Sequence, residues 1–434
     1  MSTPARRPVT VVVPVYGGPE AVSACLAALV GAIGPRDSIL VINDLGPEAD
    51  AVEAAVLSGF ADALRYVRNP RNLGFVGTCN RAALELTPAD HDLLLLNSDT
   101  VPTPGFVDAL EAALDADERN GIACARSDNA TIASLPLRRR VPDAPRTRER
   151  TASVFGALRS RLPEYSVSPV AMGFCFLVRR TLIDRHGLFD EAFSPGYGEE
   201  NDFCLRMGEL GHRSVIVHRA LVFHEGFVSF QEQRRNSLRA EHEALLVARH
   251  PGYPAQVRRY LTADADPVDV FADALVPDGA PPRVLLDFGT APRPHHAELL
   301  AAASMAGFTV RVPAPALRRM RRAHPALDLI ADASLSRVWD AALAADEGGE
   351  AQTARLQLAA PRVGALATDS DPVASALALA VAPVDDAELR RRWAENSPRL
   401  ERWGTLVPSR ASLPGRALRA VRRRLAHRVD PAAR

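Results

Sequence analysis

Lysine is absent from this sequence, and all 52 of its basic residues are arginine. They are balanced by 52 acidic residues, so the formal net charge is zero. A chain without excess charge has no global field that would draw it to nucleic acid, and we expect no nucleic-acid partner. Together with abundant alanine and proline, the exclusive use of arginine indicates a GC-rich bacterial genome, which reflects codon usage rather than function.

Cysteine is scarce, and long apolar runs are missing. The cysteines are Cys25, Cys79, Cys124, Cys175 and Cys204. They form no C-x-x-C pair, and their odd number argues against a disulfide framework, so we expect free thiols in a reducing cytoplasm. The N-terminus has no apolar signal region, and no apolar stretch reaches the roughly 18–20 residues that span a bilayer. We therefore expect a cytoplasmic protein, with contact at the inner face of the plasma membrane left open.

The length of 434 residues exceeds a typical domain of ~100–200 residues, so two domains are expected. We predict a first α/β domain over residues 1–255, a linker rich in Asp, Pro and Ala over 256–281, and a smaller α/β domain over 282–434. The second domain has no glycine-rich phosphate loop, so we assign it no nucleotide. Its last segment, from Arg416 to Arg428, has the pattern of a basic amphipathic helix that either lies on an anionic membrane surface or packs on its own domain.

Short apolar strands alternate with helices through the first 115 residues. The predicted strands are 9–15, 38–42, 64–67 and 93–96. This alternation predicts an open, doubly wound α/β sheet that is mostly parallel, with right-handed crossovers and helices on both faces. Such sheets bind ligands outside the carboxyl ends of their strands, where Tyr16, Asp44 and Asp99 stand.

A cluster of carboxylates is the sharpest chemical signal. Glu199, Glu200 and Asp202 occupy three of four successive positions ahead of an apolar helical stretch. A helix cap would explain one of them but not all three, because like charges this close together repel. Asp99 and His224 are weaker signals, since an Asp at a strand end is often a turn former and a lone His is often structural.

Taken together and in order, these segments resemble the family 2 inverting glycosyltransferases, which have the GT-A fold, and among them the rhamnosyltransferase-like enzymes of bacterial cell-surface glycans. The matching segments are V-V-V-P-V-Y at 11–16, V-I-N-D at 41–44, R-N-L-G-F at 71–75 with Asn80, L-L-N-S-D-T at 95–100, G-F at 173–174 with G-L-F-D-E at 187–191, G-E-E-N-D at 198–202 with Arg206, and H-E-G at 224–226. The resemblance covers residues 8–250. It implies transfer of a sugar, with inversion, from a nucleoside-diphosphate sugar to a hydroxyl of a glycan or lipid-linked acceptor.

The resemblance also implies a role for each matching residue. Those implied to bind the nucleotide sugar are Pro14, Tyr16, Asp44, Gly74, Asn80 and Asn97. Asp99 and His224 would hold a divalent metal, Mn²⁺ or Mg²⁺, which neutralises the leaving diphosphate. Glu200 would be the general base for the acceptor hydroxyl, and Asp202 with Arg206 would order the active site.

The sequence departs from the family pattern at two of these positions. Asn97 stands at the first position of the D-x-D-type metal motif, so Asp99 carries the metal contact there and weaker metal affinity is expected. Glu200 stands where the family has Asp, and its extra methylene changes the reach of the base by ~1.5 Å.

Three other functions are compatible with parts of the sequence. A catalytically inactive homologue would bind a nucleotide sugar or glycan without turnover, but it would have no need of Glu200. A nucleotidyltransferase of related fold would want a basic phosphate loop after the first strand, whereas the segment from Tyr16 to Glu20 contains no basic residue. A scaffold role for the C-terminal domain stays open as a second function.

Overall fold

The structure is a computed structural model, and it describes residues 6–135, 147–226, 232–261, 266–277, 279–331, 337–345, 349–366 and 371–396. Within these residues the chain forms two compact units. The first takes residues up to 126 and from 164 to 260, and the second takes 127–163 and the residues from 261 on. These limits differ from the predicted boundaries, because segment 127–163 packs with residues of the predicted linker through a shared apolar cluster.

A nine-stranded sheet forms the centre of the first unit. Its strands are β1 (Val9–Val15), β2 (Ser38–Asn43), β3 (Arg65–Arg68), β4 (Asp92–Leu96), β5 (Thr100–Pro102), β6 (Asn120–Arg126), β7 (Tyr165–Ser168), β8 (Cys175–Val178) and β9 (Arg213–His224). The order is β3-β2-β1-β4-β8-β6-β9-β5, with β7 paired to β9. The first four strands run parallel, as predicted, and they are joined by antiparallel pairs at β8, β5 and β7.

Helices lie between these strands along the chain and follow the last of them. Up to residue 260 they are α1 (Pro19–Val30), α2 (Ala49–Phe60), α3 (Gly74–Arg81), α4 (Phe106–Asp115), α5 (Arg148–Leu158), α6 (Arg180–His186), α7 (Glu199–Glu209), α8 (Glu232–Arg249) and α9 (Tyr253–Arg259). The helix α3 continues as a π-helical segment, and α5 belongs to the second unit. Apolar side chains such as Val22, Leu26 and Leu29 of α1 are fully buried, which is the one-sided pattern of a helix packed on a sheet.

The second unit contains a smaller, five-stranded parallel sheet. Its strands are β10 (Val284–Asp287), β11 (Thr309–Arg311), β12 (Asp328–Ile330), β13 (Ala341–Ala344) and β14 (Arg362–Ala365), in the order β12-β11-β10-β13-β14. Its remaining helices are α10 (Pro267–Val270), α11 (Ala272–Leu275), α12 (Ala297–Met305), α13 (Ala314–Ala323), α14 (Glu350–Ala359), α15 (Pro372–Val381) and α16 (Asp386–Asn396). The predicted smaller α/β unit is therefore confirmed. The predicted basic helix from Arg416 to Arg428 lies outside the described residues.

All five cysteines are buried, free and located in the first unit. Burial raises the pKa of the Cys25 thiol to about 11 and that of Cys124 to about 12. The thiols are therefore protonated and enclosed, as expected for structural cysteines. In the part of the chain that the structure describes, no helix has the length and apolar character needed to cross a membrane.

Candidate active site

The carboxyl ends of β1 and β2 meet at one edge of the first unit's sheet. The backbone N–H of Asp44 donates to the carbonyl oxygen of Val15 at 2.8 Å. Gly46 passes so close that a Cβ atom there would lie 1.6 Å from the Tyr16 carbonyl oxygen, so only glycine fits. The Tyr16 side chain is 58% exposed and offers an open aromatic face. The pairing of β1 with β4 ends at Val12, so the missing N–H of Pro14 breaks no hydrogen bond to β4.

A shallow groove lies next to this edge, between the end of β2 and the start of α2. It has a volume of about 430 Å³ and is lined by residues 45–51 and Arg68. The Arg68 guanidinium bonds to carboxylates of α2, at 2.8 Å from Asp50 and 2.6 Å from Glu53. The groove is thus lined by both apolar and charged residues, which suits a ligand that is partly aromatic and partly polar.

Asp44 anchors the loop that precedes α3. Its Oδ1 accepts hydrogen bonds from Asn69 Nδ2 at 2.7 Å and from the Leu73 backbone N–H at 2.8 Å. Asn69 also donates to Thr78 Oγ1 at 2.8 Å and accepts from the Arg81 guanidinium. One oxygen of Asp44 is therefore used inside the protein, and the residue as a whole is buried. Asn69 is a contributor that the sequence patterns did not reveal.

Gly74 and Asn80 connect this loop to the segment that leads into α7. Gly74 has a left-handed φ of 71°, and a Cβ atom there would lie 2.8 Å from Pro195 Cβ. Asn80 donates to the Phe189 carbonyl at 3.0 Å and to Glu191 Oε1 at 2.9 Å, and its Oδ1 accepts from the Phe189 N–H at 3.0 Å. The amide of Asn80 is thus fully engaged with protein atoms. Both residues position neighbouring loops, and their direct contact with a nucleotide sugar stays a prediction.

The predicted metal ligands lie side by side. Pairing of β5 with β9 sets Thr100 opposite His224, which brings His224 Nε2 to 3.5 Å from Asp99 Oδ1. Asn97 Nδ2 also lies 3.5 Å from this nitrogen. Carboxylate and imidazole are both accepted by Mn²⁺, and their separation lets both contact one ion at about 2.1 Å. Among the described residues no third His, Cys, Asp or Glu completes the set, so the pair fits a metal that takes its other ligands from substrate or water.

Residues 173 and 174 link this pair to the predicted base. The Phe174 ring stacks on His224 with centroids 5.3 Å apart, and its carbonyl accepts from the Asn97 N–H at 2.9 Å. A Cβ atom on Gly173 would lie 3.4 Å from the Glu200 carboxyl carbon. The small residue at position 173 therefore leaves room for the Glu200 side chain, while its neighbour Phe174 contacts His224.

The first two residues of α7, Glu199 and Glu200, both carry carboxylates. Burial raises the pKa of Glu200, and backbone N–H groups at the start of the helix oppose that rise. Glu199 is only 5% exposed, and its Oε2 accepts no hydrogen bond from the described residues. Burial, followed by the charge of Glu200, holds the pKa of Glu199 well above its usual range. The pair is therefore suited to carry one negative charge rather than two.

Asp202, three residues further along α7 than Glu199, is fully buried. Its carboxylate accepts from Arg206 Nε at 2.8 Å, from His250 Nε2 at 3.1 Å and from Arg249 Nη1 at 3.3 Å. Burial by itself would raise the pKa of Asp202, but the hydrogen bonds from His250 and Arg206 outweigh it and lower the pKa. Arg206 also donates to the Leu188 carbonyl at 2.7 Å. Both residues thus order the chain around the site, and a catalytic part for either stays a prediction.

Solved structures and a family model show what the chain is similar to. It is 18% identical to the mannosyltransferase PcManGT from Pyrobaculum calidifontis, solved in complex with GDP-Man and Mn²⁺, with a TM-score of 0.42 over 74% of this chain and 81% of that one. It is 14% identical to GalNAc-T7, solved with UDP, GalNAc and Mn²⁺, with a TM-score of 0.41 over 58% of this chain. The chain thus spans about half, 52%, of the length of GalNAc-T7.

No curated protein matches the chain. The model described as "Glycosyltransferase like family 2" matches residues 5–241, which is more than half of the sequence. That range contains the sheet edge with Asp44, the Asp99–His224 pair and the carboxylates of α7. The chain therefore belongs to the family 2-like glycosyltransferases.

Proposed function

We propose that this glycosyltransferase uses a divalent metal and inverts the anomeric configuration of the sugar that it transfers from a nucleoside diphosphate to an acceptor hydroxyl. The observation that carries the proposal is the placement of Glu200 and the Asp99–His224 pair on either side of residues 173 and 174. A base for the acceptor and ligands for a diphosphate-bound metal are the two groups that such a reaction needs within one site.

The donor would bind along the carboxyl edge of the first sheet. The open face of Tyr16 and the groove lined by residues 45–51 suit a nucleobase, and the second carboxylate oxygen of Asp44 suits a ribose hydroxyl or a base N–H. Asp99 and His224 would hold Mn²⁺ or Mg²⁺, which supplies positive charge to the diphosphate when it is bound. Asn97 would donate its amide to the same oxygens.

Glu200 would act on the acceptor side. Its carboxylate takes the proton of the acceptor hydroxyl while that oxygen forms a bond to the anomeric carbon. The bond from this carbon to the diphosphate oxygen breaks, and the nucleoside diphosphate leaves with the electron pair. Attack from the face opposite the leaving group inverts the configuration. Burial raises the pKa of both Glu199 and Glu200, so the pair would carry a single negative charge, which the proposed reaction uses on Glu200.

The acceptor is proposed to be a growing cell-surface polysaccharide or glycolipid of a bacterium, and the enzyme would work in the cytoplasm at the inner face of the plasma membrane. The sequence from Arg416 to Arg428 supports this placement, because its arginines alternate with apolar residues as in helices that lie on anionic lipid.

The test is release of nucleoside diphosphate from a panel of nucleotide sugars with Mn²⁺ or Mg²⁺. Glu200→Gln keeps the shape of the side chain but removes the base, and we expect a loss of about 10²–10⁴-fold in kcat. Asp99→Asn should instead raise the metal concentration required for half-maximal rate. Asp62→Asn, which changes an exposed carboxylate in the turn after α2, is the matched control and should change neither quantity.

Two outcomes would sink the proposal. Full activity in Glu200→Gln would remove the assigned base. Nucleotide binding without turnover of any donor, detected as a rise in melting temperature, would favour the inactive homologue instead.

A further inference from the structure

The backbone just before α7 is held in an unfavourable conformation. Tyr197 has a φ of 79° and Gly198 a φ of 95°, so two successive residues adopt left-handed geometry. For a residue with a side chain such as tyrosine this conformation persists only when neighbouring atoms hold it. Since Glu199 and Glu200 follow immediately, the geometry of this turn sets where the base points.

The helix α8 supplies the contacts that hold the turn. The buried His242 places its Nδ1 at 2.8 Å from the Gly196 carbonyl oxygen and 3.0 Å from that of Tyr197. Both oxygens are acceptors only, so Nδ1 carries a hydrogen and donates to both. The Phe193 ring packs edge-on against the imidazole with centroids 5.6 Å apart, which fixes its orientation.

The same helix contacts the chain on either side of the turn. The Arg239 guanidinium lies 4.7 Å from the centre of the Tyr197 ring. Arg249 bonds to Asp190 Oδ2 at 2.8 Å before the turn and to Asp202 Oδ1 at 3.3 Å after it. Three residues in the described part of α8, Arg239, His242 and Arg249, thus contact the segment that carries Glu200.

We propose that His242 is a positioning residue for glycosyl transfer. By donating to two successive carbonyls, His242 holds the left-handed turn. The turn then places the Glu200 carboxylate beside residue 173. The inference rests on the proposed role of Glu200 as the base. It predicts that His242 affects the chemical step and has little effect on donor binding, because the donor edge lies on β1 and β2.

The kinetic test compares three variants of the full chain. His242→Ala should lower kcat by about 10–100-fold, the loss expected when a reacting group is displaced by about 1 Å, while the donor KM changes less than about threefold. His242→Asn retains an N–H donor near the position of Nδ1 and should restore most of the rate. Glu241→Ala changes an exposed neighbour on the same helix and should behave as wild type.

A double variant separates positioning from general destabilisation. If His242 acts through Glu200, adding His242→Ala to Glu200→Gln should cause no further loss of rate. The inference would be overturned if the loss of rate in the double variant equalled the product of the losses in the two single variants, or if kcat were unchanged in His242→Ala.

Hydrogen exchange of the ligand-free protein provides a readout that does not depend on any donor. Amides of residues 196–202 should exchange faster in His242→Ala than in wild type or Glu241→Ala, while those of β1 and β4 should not change. If wild type turns over no donor, the proposed function fails and the catalytic part of this inference fails with it. Unchanged exchange would independently show that His242 does not hold the turn.

Discussion

Buried carboxylates of the first unit differ in protonation because they differ in partners. Asp202 is fully buried, yet three hydrogen-bond donors hold its pKa low. Glu199 and Glu111 are also buried. Glu199 Oε2 and both carboxylate oxygens of Glu111 accept no hydrogen bond from the described residues, and burial raises the pKa of both residues. Glu199 has a place in the proposed reaction. Glu111 lies on α4, in a part of the fold with no assigned chemistry, so its cost should appear only in stability.

Replacing Glu111 with methionine should stabilise the protein at neutral and alkaline pH. Burial, reinforced by Asp92, raises the pKa of Glu111 from 4.5 to about 8. Between these values the folded state keeps a proton that the unfolded state releases, so stability falls as pH rises, by up to ~1.4 kcal/mol per pH unit. We expect Glu111→Met to gain about 4 kcal/mol at pH 8 and almost nothing at pH 4. Arg179, 3.9 Å from Glu111, keeps Asp92 and Asp115 as partners.

Denaturant unfolding at several pH values measures this effect. The gain should grow steadily from pH 4 to pH 8. A gain that is the same at both ends would mean that packing, rather than protonation, distinguishes the two side chains.

The sequence predicted individual site residues when their positions carried a local signal. Asp99 and Asp44 follow apolar strands, so their place at the sheet edge could be inferred without coordinates. His242 and Asn69 could not, because their partners lie 46 and 25 residues away and no periodicity connects them. The contact between His224 and Asp99 followed only from the family resemblance, since β5 is too short to be detected as a strand.

Among the elements, the parallel strands were the easiest to predict and the added antiparallel strands the hardest. Strands β1 and β4 are buried on both faces, and their continuous apolar sequences show it. By contrast, the carboxylates expected ahead of an apolar helical stretch lie inside α7, which begins at Glu199. Negative charge in a first helical turn is favoured by the helix dipole, so all three can belong to the helix.

Removing the negative charge of Asp287, at the end of β10, should lower the stability of the second unit. Asp287 is fully buried and bonds at 2.6 Å to Arg311 of β11 and at 2.6 Å to Arg355 of α14. Asp287→Asn leaves two partly buried arginines without their counter-charge, so we expect a loss of up to about 3–5 kcal/mol. Asp328→Asn breaks an exposed ion pair with Arg337, and its amide oxygen can still accept the hydrogen bond from Thr309 Oγ1, so the change should cost at most ~1 kcal/mol.

Unfolding followed by tryptophan emission reports this difference, because Trp339 and Trp393 are both buried in the second unit. The third tryptophan, Trp403, lies outside the described residues and is best changed to phenylalanine in both proteins. Equal midpoints for the two variants would show that the Asp287 cluster adds no stability.

At the scale of the whole molecule, the two units carry different natural probes. Every cysteine lies in the first unit and is buried, whereas the two tryptophans of the described residues lie in the second. We expect a thiol reagent to modify the native protein at least about a thousandfold more slowly than the denatured chain, since each thiol becomes reactive only after the first unit opens. Rapid modification of a single thiol in the native protein would contradict this, and mass spectrometry would identify which one.

The protection of all five thiols makes the native chain ready for labelling at one chosen place. Ala51 is exposed and lines the groove beside Asp44. A cysteine introduced there would be the most accessible thiol, so a maleimide dye would attach beside the groove without any native cysteine being removed. An environment-sensitive fluorophore at this point would turn the arrival of a nucleotide into a change in brightness, and donors could be ranked by titration before any acceptor is known.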